Sequence, residues 1–144
     1  MPLYLADTSI WGWADSGRRP DIQLKLAARI QAGEVATCVP VVLEALHRAR
    51  TGEEYHRLRS KLFDPLAWAP VTAEAAGRAL DVQAALADTK HGAHLRPAID
   101  YLVAATAELA GPQYVLWFFD RDLEVICGHT GQPFEAEAAS GAGG

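Results

Sequence analysis

Residues 3–9, LYLADTS, decide the fold of this chain. Leu3 to Ala6 is a short apolar run of the kind that lies inside a sheet. The run stops at Asp7, with Thr8 and Ser9 directly behind it. All three side chains accept hydrogen bonds from the free N–H groups of a helix start, so Asp7 reads as an N-cap. A carboxylate at the C-terminal end of a buried strand also reads as the corner of an acidic site, because ligand sites in open α/β sheets form at those strand ends. The remaining acids of the chain bear on that choice.

Outward from Leu3–Ala6, short apolar runs alternate with helical stretches, the pattern of an α/β protein with a mainly parallel sheet. Strands are expected at Leu3–Ala6, Val35–Cys38, Ala67–Ala69 and Tyr114–Phe119. Between them, Asp21 to Gln31 reads as a helix closed by Gly33. Pro40 suits the start of a second helix through VVLEALHRA, which breaks at Thr51–Gly52. Glu53 to Phe63 forms a third, ending before Asp64–Pro65. Thr72 can cap a long alanine-rich helix running to about Asp88. TKHGAHLR is a loop, Pro97 starts a helix that Gly111–Pro112 ends, and a last helix runs from about Arg121 to Cys127.

The chain has 144 residues, half of them hydrophobic and 22% charged, which suits one domain with a core of its own. The glycine-rich end, EAEAASGAGG, is expected to fray, so the domain is placed at 1–135 and a flexible tail at 136–144. No apolar run approaches the ~20 residues of a membrane span, and no basic n-region or apolar h-region marks a secretory signal. Cys38 and Cys127 have no metal-type spacing and read as reduced thiols of a cytoplasmic protein.

Three further acids stand where a surface acid would not. Glu44 interrupts VPVVLEALHRA, with Val41 and Pro40 three and four residues back on one helical face. Asp100 sits near the start of AIDYLVAATAELA, where Val103, Ala104 and Ala107 share its face. Asp120 ends YVLWFFD, the most hydrophobic strand, and so repeats the placement of Asp7; Asp122 follows two residues later. Each alone has an ordinary explanation as a cap, a dipole partner or the edge of a buried face. Together in one cleft they repel, at roughly 3 kcal/mol per pair for ~5 Å and an effective dielectric of ~20. Protonation or a cation relieves that repulsion. Oxygen ligands without His or Cys suit Mg²⁺ or Mn²⁺, and the natural chemistry is hydrolysis of a phosphodiester by activated water.

The motifs LADTSIW, a Glu near position 44, IDYLVAATAELAG and VLWFFDRDLEVICGHTGQP, in this order and separation, resemble a PIN-domain protein of the small VapC-type ribonuclease toxins. The resemblance runs to about residue 134. It implies a Rossmann-like α/β/α sandwich with a central parallel sheet and an acidic pocket that binds Mg²⁺ or Mn²⁺ and cleaves RNA. Carried over by motif, Asp7, Glu44, Asp100 and Asp120 are the catalytic acids, with Asp7, Asp100 and Asp120 as metal ligands. Asp122 is an accessory acid, and DRD leaves two choices for the fourth position. Thr8 or Ser9 would orient Asp7 or the bound water. The resemblance also implies a homodimer and a cognate antitoxin that obstructs the pocket. Two positions depart from the pattern: Phe118 stands where the family often has a small polar residue, and Leu123 where it often has an aromatic one. These bear on the pocket rim and the substrate.

The net charge of −5 speaks against nucleic acid, which is held through Lys and Arg. The stretch HRARTGEEYHRLRSK, residues 47–61, is locally basic, and Arg48, Arg50 and Arg57 are candidates for an RNA phosphate track. His91 and His94 lack the cysteine partners of a zinc site and read as structural or exposed. No G-x-S-x-G, Walker or dinucleotide glycine pattern is present. Trp68 and Trp117 lie in strands and read as core, whereas Trp11 and Trp13 read as a partner surface. A rival to the nuclease is a non-catalytic RNA- or protein-binding module of the same fold. A phospho-acceptor receiver domain is a poor third, because no lysine follows Lys90 to close its pocket.

Overall fold

Leu3–Ala6 forms β1, and its inward-facing end at Leu5 and Ala6 is fully buried. Tyr4 and Leu5 pair in parallel with Val35 and Ala36 of β2 (Val35–Thr37), and all four residues of β1 pair in parallel with β4 (Tyr114–Phe118). The computed structural model describes residues 1–138 and completes the sheet with β3 (Ala67–Trp68) and β5 (Phe134–Ala136). The strand order is β3-β2-β1-β4-β5, parallel throughout.

The chain moves from β1 to β3 in one direction across the sheet, then from β4 to β5 in the other. Right-handed crossovers place the helices of the two halves on opposite faces, giving a three-layer α/β/α sandwich. The first half carries α1 (Thr8–Ser16), α2 (Pro20–Gln31), α3 (Val39–Leu46), α4 (Gly52–Leu58) and a π-helical turn at Arg59–Phe63. The second carries α5 (Ala73–Thr89), α6 (Ala98–Ala110) and α7 (Arg121–Thr130). The order reverses between β1 and β4, the switch point at which such sheets bind ligands.

The expected strands recur, each of the last three one residue shorter than read from the sequence. The expected helix at Glu53 to Phe63 is split into α4 and the π turn, a widened turn closed by the Asp64 N–H on the Arg59 carbonyl and carrying buried Phe63. Two elements go beyond the helices and strands expected, although the N-cap reading of Asp7 already implied the start of one. The first, α1, buries Ile10, Trp11 and Ala14 along one face. Trp11, assigned from the sequence to a partner surface, is a core residue: it is 7% exposed and packs edge-on against Phe63 at 4.8 Å. Trp13 is half-buried against Phe119, Trp68 half-buried, and Trp117 fully buried.

The second is β5, which extends the sheet into residues assigned to the tail. Ala136 pairs with Phe118, Glu137 N–H donates to the Phe118 carbonyl, and the Ala138 carbonyl accepts from Arg19. The remaining positions of that tail, 139–144, lie outside the described residues. Lys25 and Arg29 of α2 hold this edge through ion pairs to Glu135, and Lys25 also reaches Glu137. Arg29 lies over the rings of Tyr4 and Trp117, at 3.6 and 4.4 Å from their centroids. Both cysteines are free and buried, and burial pushes each thiol up to about 12. Among the described residues, no helix is long and apolar enough to cross a membrane.

Candidate active site

The switch point places Asp7 and Asp120 just beyond the ends of two adjacent strands. Ala6 pairs with Trp117, and the Asp7 N–H donates to the Trp117 carbonyl at 2.9 Å. Asp7 is also the N-cap of α1: its Oδ2 accepts from the Ser9 N–H at 3.2 Å and the Ser9 hydroxyl at 2.9 Å. The same hydroxyl accepts from the Phe119 N–H at 3.0 Å, so Ser9 ties the start of α1 to the end of β4. Of the two residues expected to orient Asp7, Ser9 does so. Thr8 is buried, with its Oγ1 lacking a hydrogen-bond partner.

Asp120 caps α7 in the same manner, its Oδ1 accepting from the Asp122 N–H at 2.8 Å. Asp100 stands in the first turn of α6 with 6% exposure, and its Oδ2 has no hydrogen-bond partner. Burial, then the adjacent Asp120 carboxylate, and then the charges of Asp7 and Asp122 push its carboxyl up to about 9. Burial also raises Asp7, against the opposing pull of its hydrogen bonds from Ser9. Glu44 projects from α3 as the exposed acid of the set.

These four acids line one open cavity of about 440 Å³, together with Ser9, Trp13, Arg18 and Arg48. Arg18, in the α1–α2 turn, was not singled out in the sequence because nothing in SGRRP distinguishes a cavity arginine from a solvated one. Of the expected basic track, Arg48 alone reaches this cavity. Gly12 on α1 makes room for it, since a Cβ there would sit 3.3 Å from Arg48 Nη2. Arg50 and Arg57 line a neighbouring cavity of about 510 Å³, whose wall also includes Arg48.

A cation site is drawn more narrowly than the cavity. Asp100, Asp120 and Asp122 each offer a carboxylate oxygen, and these oxygens lie within 4.8 Å of one another. Asp7, expected as a ligand, lies outside that closest group, with one oxygen committed to Ser9. Asp122 belongs to the group but is already paired, its Oδ1 lying 2.6 Å from Arg96 Nη1. The donors are all oxygen, one of them buried and unsatisfied, which fits a hard divalent cation.

Residues 4–128 match the PIN domain family. Over 135 residues the chain is 36% identical to Ribonuclease VapC18 of Mycobacterium tuberculosis, a match covering 92% of this chain and 93% of that protein. Its structure is similar to a chain in the crystal structure of DNA-bound VapBC from Salmonella typhimurium, with a TM-score of 0.73. That likeness covers 94% of this chain and 98% of the other at 16% identity, and it concerns the fold.

Proposed function

The chain belongs to the PIN-domain family, and from this premise we propose that it is a divalent-metal-dependent endoribonuclease, the toxin of a toxin–antitoxin pair. The observation that carries the reading is Asp100: a buried carboxyl with an unpartnered oxygen, facing two further aspartates at the mouth of a cavity. Without a cation this arrangement stores repulsion and desolvation; with one it is satisfied. The 36% identity to a protein named a ribonuclease over nearly the whole chain supports RNA as substrate.

Asp100 and Asp120 would hold Mg²⁺ or Mn²⁺, with Asp7 bordering the same cavity. The ion, when bound, supplies Lewis acidity toward a phosphate oxygen and lowers the pKa of water. Ser9 keeps Asp7 in one rotamer through two hydrogen bonds, so the carboxylate meets its ligand preorganised. Hydrolysis forms a bond from water oxygen to phosphorus and breaks a P–O ester bond; the departing sugar oxygen takes a proton from solvent, and the attacking water gives one up. Glu44, solvent-facing at the rim, is the acid free to accept it. Arg18 and Arg48 offset the negative charge of the pocket and receive the phosphate backbone, which Arg50 and Arg57 continue into the adjoining cavity.

The likeness to a VapBC structure supports a cognate antitoxin as partner, and the homodimer and cytoplasmic setting belong to the same reading. The test is incubation of total RNA with the purified protein and its Asp100→Asn variant in Mg²⁺, Mn²⁺ or EDTA. Discrete fragments are expected from the wild type alone, and none in EDTA. Equal cleavage by both proteins would refute the assignment of Asp100. RNA bound but uncut by the wild type in every condition would establish a binding module instead.

A further inference from the structure

The expected site gives Asp122 an accessory part, but the structure has already committed this carboxylate. Arg96 donates from Nη1 to Asp122 Oδ1 at 2.6 Å and from Nε to the Ala93 carbonyl at 3.0 Å. The guanidinium is therefore fixed from two sides, one of them its own loop. The loop is itself ordered by short-range bonds: Ala93 N–H to the Lys90 carbonyl, Leu95 N–H to Gly92, and Arg96 N–H to His94. Tyr101 on α6 donates its hydroxyl to the His94 carbonyl at 2.7 Å. Arg96 is not a long side chain that happens to meet an acid on an exposed surface; it is 18% exposed and held.

The placement of the pair is as informative as its geometry. Arg96 stands four residues before Asp100, in the loop that delivers α6. Asp122 stands two residues after Asp120, in the first turn of α7. The ion pair thus joins the same two elements that supply the inner acids of the cavity. Three carboxylate oxygens within 4.8 Å of one another can hold a metal ion, and when all three groups are ionised their negative charge exceeds that of one divalent cation by one. One positive charge is already present there, and it belongs to the protein.

We infer that Arg96 is a positioning residue that takes the place of a second cation: it withholds Asp122 from the metal site and limits the site to one divalent ion, held by Asp100 and Asp120. Its planar, permanently charged fork suits the role, because it neutralises a carboxylate while fixing its direction. Asp122 then serves as the partner of Arg96 rather than as a ligand, and the ion rests on Asp100 and Asp120. The inference rests on the reading of the acidic cavity as a divalent-metal site.

The experiment is Mn²⁺ binding to the full chain, followed by the free-ion electron paramagnetic resonance signal, which reports stoichiometry and affinity without cleavage. Wild type is expected to bind one Mn²⁺ per chain. Arg96→Gln releases Asp122 and is expected to bind two. The double variant Arg96→Gln/Asp122→Asn removes both charges of the pair together, and is expected to bind one again with an affinity within threefold of wild type. One ion in Arg96→Gln at wild-type affinity would overturn the inference. So would a tenfold or greater loss of affinity in the double variant, which would make Asp122 a ligand in its own right; that measurement decides the matter even if Arg96→Gln alone does not fold. Two ions in the wild type would also overturn it. No Mn²⁺ bound by the wild type would fell the inference and the metal-site reading together, whereas the other adverse outcomes leave that reading standing.

Discussion

A carboxyl group with 6% exposure and an unpartnered oxygen is a residue working against its own fold. In the metal-free protein Asp100 keeps its proton up to about pH 9, whereas in the unfolded chain a carboxyl loses its proton near 4. Between those values the folded state binds the extra proton. The contribution of Asp100 to stability is therefore full at the acidic end and is lost as pH rises through the window. In EDTA, the thermal midpoint is expected to fall progressively from pH 5 to pH 9. Added Mg²⁺ should stabilise more at the alkaline end, where it no longer displaces a proton. Asp100→Asn imitates the protonated form, so it should flatten the pH dependence and raise metal-free stability at neutral pH by about 1–3 kcal/mol while abolishing cleavage. Calorimetry in EDTA across that pH range checks both expectations. A variant less stable than wild type at pH 8 would show that Asp100 is ionised and paired.

At the scale of the element, Asp7 has two duties that substitution separates. As an N-cap it satisfies the start of α1, and as a carboxylate it lends charge to the cavity. Asp7→Asn keeps the cap and loses the charge: stability should stay within ~0.5 kcal/mol with cleavage lost, whereas Asp7→Ala should also cost about 1 kcal/mol. Urea denaturation beside the RNA assay distinguishes the two duties, and equal stabilities for Asn and Ala would remove the cap from the account. The helix being capped was itself hard to read. TSIWGWADS combines Thr, Ser, Gly, β-branched Ile and two Trp, all middling or poor helix formers, and is held by its ends and by the burial of Ile10, Trp11 and Ala14. Those positions lie at helical spacing, which turns Trp11 inward and undoes its reading as a surface aromatic. The better-signalled elements were legible because local chemistry agreed with packing: Thr72 caps α5 through the Ala75 N–H, and Pro97 stands at the entry to α6. The four acids were legible for a related reason, since two end apolar strands and two interrupt apolar helical faces. Arg96 was not, because its meaning lies in a partner 26 positions away.

Across the whole molecule, β5 was illegible in sequence for a physical reason. PFEAEA has no buried alternation, and Phe134 and Ala136 both remain exposed. What holds the strand is remote: pairing with β4, and the two cations of α2 that reach Glu135 across the sheet edge. Arg29 concentrates this support, stacked on Tyr4 and Trp117 and paired with Glu135. Arg29→Ala is expected to cost about 1–2 kcal/mol, through lost stacking on Tyr4 and Trp117 and the loss of one of the two cations on Glu135, which Lys25 still holds. Cleavage per folded molecule should be nearly unchanged, since Arg29 does not line the catalytic cavity. Urea titration and active-site counting with the RNA assay measure the two effects separately.

The pairing of Leu3 with Tyr114 has a consequence for the life of the molecule before it is finished. The cavity takes one wall from position 7 and the opposite wall from position 120, so it has no existence on a partial polypeptide. A ribosome that has made the first two strands and four helices carries a chain with Asp7 and Glu44 but neither Asp100 nor Asp120. The four acids come together only when β4 slots in beside β1, a non-local event. Translation order therefore holds back the complete set of acids until β4 and Asp120 have been made.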